Sequence, residues 1–179
     1  MIQFQSNAAE VFADILAVLD GIPRLLGREQ RNLQTAFTWG LTEQFDALSN
    51  GEVVPVMDGD FVAWDAISPL TEFIRQTRWG IQPGNPILVV TGSLRRGLTD
   101  GTTFVYDYGK ESLMTYLPSS DQEDRIEMHE KGFTVTDPIS AGHEAPARPM
   151  LFWSERLGND IIAILERGID KLAESRGFR

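Results

Sequence analysis

The sequence predicts an α+β fold with two N-terminal helices, a central antiparallel β-sheet carrying long loops, and a long C-terminal helix. Three observations lead there. Apolar residues recur at three- and four-residue spacing at both ends of the chain, the period of a helix buried on one side. The middle instead holds short apolar runs set among Pro, Gly, Thr and aromatic residues, the pattern of strands and turns. Helix and strand patterns do not alternate, which argues against parallel βαβ winding. At 179 residues one domain is expected, with a helical part at 7–49, a strand-rich middle at 52–150 and a helix at 154–175.

The first helix is read from Val11, Phe12, Ile15, Leu16 and Leu19, which share one stripe. Asp20, Gly21 and Pro23 then predict a break, with Pro23 in the first turn of a second helix. That helix keeps Leu33, Phe37, Leu41, Phe45 and Leu48 on one side and stops at the Ser-Asn-Gly of 49–51. Asp58 and Gly59 predict a turn between two short extended pieces. Ser68 is placed to cap a helix that has Pro69 at its first position and Gly80 behind it. The apolar run Ile87-Leu88-Val89-Val90 ends at Thr91-Gly92, and "TTFVY" and "SLMTYL" read as two strands. An acidic surface loop follows, with a short element around 125–130. The Pro- and Gly-rich stretch at 137–149 is not regular throughout. Ser154 caps the last helix, with Glu155 in its first turn and Leu157, Ile161, Ile164, Leu165, Ile169 and Leu172 as its buried stripe.

Composition excludes several classes. Hydrophobic residues at 42% and charged residues at 23% are ordinary globular usage. The absence of cysteine removes disulfides, thiolate zinc sites and a cysteine nucleophile. Neither a leader-like start nor a run of about 18 apolar residues is present, so no export signal or membrane span is expected. The net charge of -10 sits at the two ends: nine acids against three bases in residues 1–60, five against five in 61–120, and twelve against eight in 121–179. A tight nucleic-acid binder concentrates Lys and Arg on one face, and here only Arg75, Arg78, Arg95, Arg96 and Lys110 in the neutral middle offer such a cluster.

Chemistry-bearing motifs are sparse. "TGSLRRGLT" approaches the phosphate loop GxxxxGK[ST], but Leu98 stands where the Lys belongs and a strand pattern follows soon after. A nucleotide- or nucleic-acid-binding enzyme using residues 92–99, between Gly92 and Thr99, is the competing functional reading. His129 and His143 are each followed by Glu without the second His of HExxH. No GxSxG elbow occurs, and Asp121, Glu123, Asp124 and Glu127 lack the glycine turn of a calcium loop. Trp39, Trp64, Trp79 and Trp153 are scattered, as core or interface residues are. Neither catalysis nor a cofactor or metal is expected.

Four pieces in order carry a family resemblance: Trp64 with "SPLT" and a helix ending at Gly80; "ILVVTGSLRRGL"; "HEKG" at 129–132; and "APARPMLF" at 145–152. Together they resemble the virion morphogenesis, or tail-completion, proteins of tailed bacteriophages, over about residues 60–175. Arg125-Ile126 stands where the family has Tyr-Ala, Gly97 replaces a Ser, and the loop at 118–123 is enlarged. The resemblance implies a structural protein of the tail or neck. It would assemble as a ring, hexameric by analogy, around the DNA path, with itself and other connector, tail-tube or terminator proteins as partners, and it would reside in the virion. In a head-to-tail ring each subunit shows two different surfaces, so Pro-rich loops and strand edges serve as joints. On that reading Arg95, Arg96, Arg148, Pro149, Phe152 and Trp153 are the candidate interface residues, with Leu94 and Leu98 turned inward. Equally, 145–153 can simply lead the chain into the last helix, with Met150, Leu151 and Phe152 in the core. Acids lining a central hole would repel passing DNA.

Overall fold

The computed structural model describes residues 8–88, 92–99, 103–105, 115–117, 122–134, 142 and 144–175. The expected α+β class is observed. α1 (Ala8–Ser49) is followed by β1 (Val54–Pro55), β2 (Phe61–Val62), α2 (Pro69–Trp79), α3 (Ser93–Thr99), β3 (Thr103–Val105), β4 (Thr115–Leu117), α4 (Glu123–Lys131), β5 (Phe133–Thr134), β6 (Glu144–Ala145) and the long α5 (Glu155–Ser175).

The two N-terminal helices expected from the sequence are one continuous helix of 42 residues. The reason lies in what Gly21 does. It is buried, and a Cβ built there would stand 2.7 Å from Leu172 Cδ2. The glycine makes room for α5 instead of ending a helix. Pro23 removes one backbone donor and lowers intrinsic helix preference by about 3 kcal/mol, and packing of the flanking turns against α5 carries the helix through it. Among the residues of the N-terminal stripe, the side chains of Val11, Phe12, Ile15 and Leu19 lie outside those described.

α1 and α5 run antiparallel and interlock through glycines. Leu172 sits over Gly21, Leu25 over Gly168 and Leu157 over Gly40, with the virtual Cβ contacts at 2.7, 2.5 and 2.7 Å. Leu33 and Ile164 are buried between these points, flanked by Ile22, Ala36, Ile161 and Leu165. Ile169, expected in the buried stripe, is 40% exposed, and Gly168 occupies the seam in its place. Ser154 caps α5 as expected, its Oγ accepting from Leu157 N at 3.3 Å.

A second core gathers at the C-terminal third of α1. Phe45 and Leu48 meet Val54, Trp64, Leu94, Leu98, Ile126 and Met150, with Trp64 edge-on to Phe45 at 5.4 Å. α3 thus directs Leu94 and Leu98 inward, as the sequence suggests, and α4 realises the short element expected near 125–130.

Among the described residues strand pairing is antiparallel, as expected, and in place of one central sheet there are three two-stranded ribbons: β1–β2 around the Asp58-Gly59 turn, β3–β4 and β5–β6. Their strands are two or three residues long, and Pro55 offers no donor with which β1 could recruit a further strand. α2 matches its expected caps. Ser68 Oγ accepts from Thr71 N at 3.2 Å, and Gly80, at φ +65°, gives its N–H to Gln76 O. Its amphipathicity is inverted, however. Arg75 is the buried member, donating to Pro86 O at 3.0 Å, while Phe73 and Trp79 are exposed. Among the described residues no helix is long and apolar enough to cross a membrane.

The Gly40–Leu157 contact predicts a sign reversal. Gly40→Ala should lower stability by about 1–2 kcal/mol through overpacking. In the Leu157→Ala background the same change should raise it by up to about 1 kcal/mol, because only the helix-propensity gain remains. Urea unfolding of the four proteins measures both values.

Candidate functional site

The Pro-rich segment leading from β6 into α5 is the structural crossing point of the chain. Its extended, proline-restricted backbone cannot satisfy itself, so its polar groups find partners on four other parts of the molecule. Arg148 N donates to His129 O at 2.6 Å. Glu130 Oε1 accepts from both Met150 N, at 2.6 Å, and Leu151 N, at 2.8 Å. From α1, Gln44 Nε2 donates to Met150 O at 2.6 Å. From the segment after β2, Trp64 Nε1 donates to Pro149 O at 2.9 Å. Met57 N then donates to Trp153 O at 3.0 Å, and Val56 bridges Ser154.

Gly132 is where this strap passes closest. It holds φ +72°, and a Cβ there would fall 2.8 Å from Ala145 O and 2.9 Å from Ala147 N. Any other residue would be both strained and in collision with backbone. Sequence pieces 129–132 and 145–152, separate along the chain, are therefore one packed unit. The Trp64 piece and the Leu94–Leu98 pair join the same core around Met150.

The six candidate interface residues divide. Arg95 makes a two-pronged ion pair with Asp46 of its own chain, Nε to Oδ1 and Nη2 to Oδ2 both at 2.7 Å. α3 lies against the end of α1, which places Asp46 within the fork's grasp. Arg148 is buried within its own chain, only 6% exposed, with Nη2 3.4 Å from Asp65 O and Nε lacking a hydrogen-bond partner. Burial lowers its pKa, and the charge of Asp65 offsets part of that. Pro149 and Phe152 are half-buried, Phe152 against the second core. Arg96 and Trp153 remain exposed, Trp153 standing edge-on to Phe37 at 6.0 Å. Of the three residues expected to enter the core from this segment, Met150 is fully buried, Phe152 partly so and Leu151 exposed.

Further exposed aromatic residues surround this region or lie on α2. Trp39 is 55% exposed beneath the Arg156 guanidinium, 5.0 Å from its ring, and Phe61, Phe73 and Trp79 are each more than half exposed. Trp39 was visible in the sequence as an aromatic residue off the apolar stripe of α1. The outward turn of Phe73 was not, because it depends on Arg75 being drawn inward by loop carbonyls.

His129 is half-buried, edge-on to Phe133 at 5.4 Å, and its Nδ1 has no hydrogen-bond partner. Burial lowers its pKa, and the positive charge of Arg148 adds to the effect. His143 and Asp121 lie outside the described residues. Among the described residues no group of three His, Asp or Glu side chains is arranged to hold a metal ion. In the stretch resembling a phosphate loop, residues 93–99 are helical, and the Arg96 amide is bonded to Gly92 O at 2.9 Å.

The lowered pKa of His129 sets the sign of a pH effect. The unfolded histidine, near pH 6.5, takes up its proton before the folded one does. This contribution to stability is complete above about pH 6.5 and is lost as pH falls through that value toward the lower folded pKa. Between about pH 7.5 and 5.5, urea midpoints of the parent chain should fall with acidification, the His129 share not exceeding about 1.4 kcal/mol per pH unit. His129→Gln should flatten that slope.

Comparison of the chain with protein-family models, with curated proteins and with solved structures returned no match.

Proposed function

We propose that the chain is a structural component of a tailed-bacteriophage particle, a tail-completion or head-tail joining protein that acts by stoichiometric assembly into a ring around the DNA path. One observation carries this reading. Described residues from each of the four ordered sequence pieces that resemble the tail-completion family meet in one packed region: Trp64, Leu94 and Leu98 in the core around Met150, and His129 and Gly132 against the strap. Residues used in this way specify a shape.

The surface around that shape is suited to joining. Large apolar side chains exposed in number mark contact surfaces, and here Phe61, Phe73, Trp79 and Trp153 stand out on the first hairpin, α2 and the strap. The two-stranded ribbons add unpaired edges that a neighbouring subunit can cover. Of the six candidate interface residues, Arg96 and Trp153 are the most exposed. The acidic excess suits a lumen through which DNA slides without adhering.

Mass spectrometry and electron microscopy of particles produced from the genome that encodes this chain test the proposal. The chain should be present at a fixed copy number consistent with a hexameric ring at the tail or neck. Phe73→Ser with Trp79→Ser should leave the fold intact and reduce completed particles. Absence of the chain from particles and from tail intermediates contradicts the proposal.

A further inference from the structure

The three bases among the first 60 residues, Arg24, Arg28 and Arg31, follow one another at four- and three-residue intervals. On a helix this spacing makes a single stripe about 10 Å long. All three side chains are exposed, and no ion pair among the described residues engages them. The face of α1 turned toward α5 carries Gly21, Leu25, Leu33 and Gly40, and the three arginines lie exposed beside it.

Farther along α1, where α5 begins and β1 crosses, lies an open cleft of about 480 Å³. Glu43, Glu52, Glu155 and Asp160 line it, against one base, Arg156, which is paired to Glu43 at 3.0 Å. The cleft has more than an acidic wall. Gln44, 3% exposed, also lines it, and while its Nε2 is bonded to Met150 O, its Oε1 is buried with no hydrogen-bond partner. A buried amide oxygen without a donor is costly, and a guanidinium entering the cleft supplies donors for it and for the carboxylates together.

We propose that the chain associates head to tail with a second copy of itself, the Arg24, Arg28 and Arg31 stripe of one copy entering the acidic cleft of the next. The two patches lie at different levels of the molecule: the stripe occupies residues 24–31 of α1, and the cleft is formed by Glu43 at the far part of the same helix, about 18 Å of helix rise beyond Arg31, with Glu52 and, on α5, Glu155 and Asp160. The contact uses different surfaces on the two partners, so its repetition gives a closed ring or an open filament. This inference deepens the ring reading and rests on it, and it names which surfaces meet.

Sedimentation of the full-length chain over a concentration series at low ionic strength tests it. The parent chain should self-associate, more weakly as salt rises. Arg24→Glu/Arg28→Glu/Arg31→Glu and, separately, Glu52→Lys/Glu155→Lys/Asp160→Lys should each weaken association by about tenfold or more, with far-UV circular dichroism unchanged. An equimolar mixture of the two variants should recover it, because each reversed surface then meets its complement on the other protein. A parent chain that stays monomeric throughout, or a mixture that fails to recover, overturns the proposal. Recovery in the mixture for a chain absent from particles would uphold this contact and refute the virion role. Presence in particles with association indifferent to the reversals would do the opposite.

Discussion

The seam between α1 and α5 is the constraint on which the rest of the structure depends. Three leucines enter spaces left by three glycines, at Gly21, Gly40 and Gly168, and this brings the helices closer than side chain against side chain would allow. The close approach has two consequences. It keeps α1 continuous through Pro23, where local preference favours a break. It also fixes where α5 begins, and therefore where the strap that precedes it must lie.

From that fixed point the second core follows. The strap is anchored at one end by the start of α5 and at the other by Gly132, whose missing Cβ admits the backbone of 145–147. Its own carbonyl and amide groups then hold Gln44, Trp64 and Glu130 in place. Trp64, Leu94, Leu98, Ile126 and Met150 close around Phe45 and Leu48. Regular sheet contributes little to this arrangement. Helix seam, strap and core carry the architecture, and the first ribbon joins them through Val54 and Val62.

Much of this was legible in the sequence wherever local physics decides. Ser68, Pro69 and Gly80 bounded α2, Ser154 opened α5, Asp58-Gly59 turned the first hairpin, and Leu94 with Leu98 faced inward. The sequence misled where a distant partner decides. Gly21 and Pro23 read as a helix stop because the leucine that fills the glycine's space lies 151 positions away at Leu172. Arg95 and Arg148 read as surface forks because nothing in their neighbourhood announces Asp46 or the carbonyl of Asp65. In α2 the caps were legible but the buried face was not: Arg75 is buried against the carbonyl of Pro86, while Phe73 and Trp79 face outward.

The proposed role in a particle follows the same logic of shape: a rigid helix pair presents a strap, a hairpin and an outward-facing aromatic helix to neighbouring molecules. All of it rests on α1 and α5 behaving as one cooperative unit, and hydrogen exchange under native conditions measures that most directly. Amides of α1 between residues 21 and 41 and those of α5 between residues 157 and 172 should share the highest protection in the chain and lose it together in Leu157→Ala. Protection of α1 that persists in that variant while α5 exchanges freely would contradict the account.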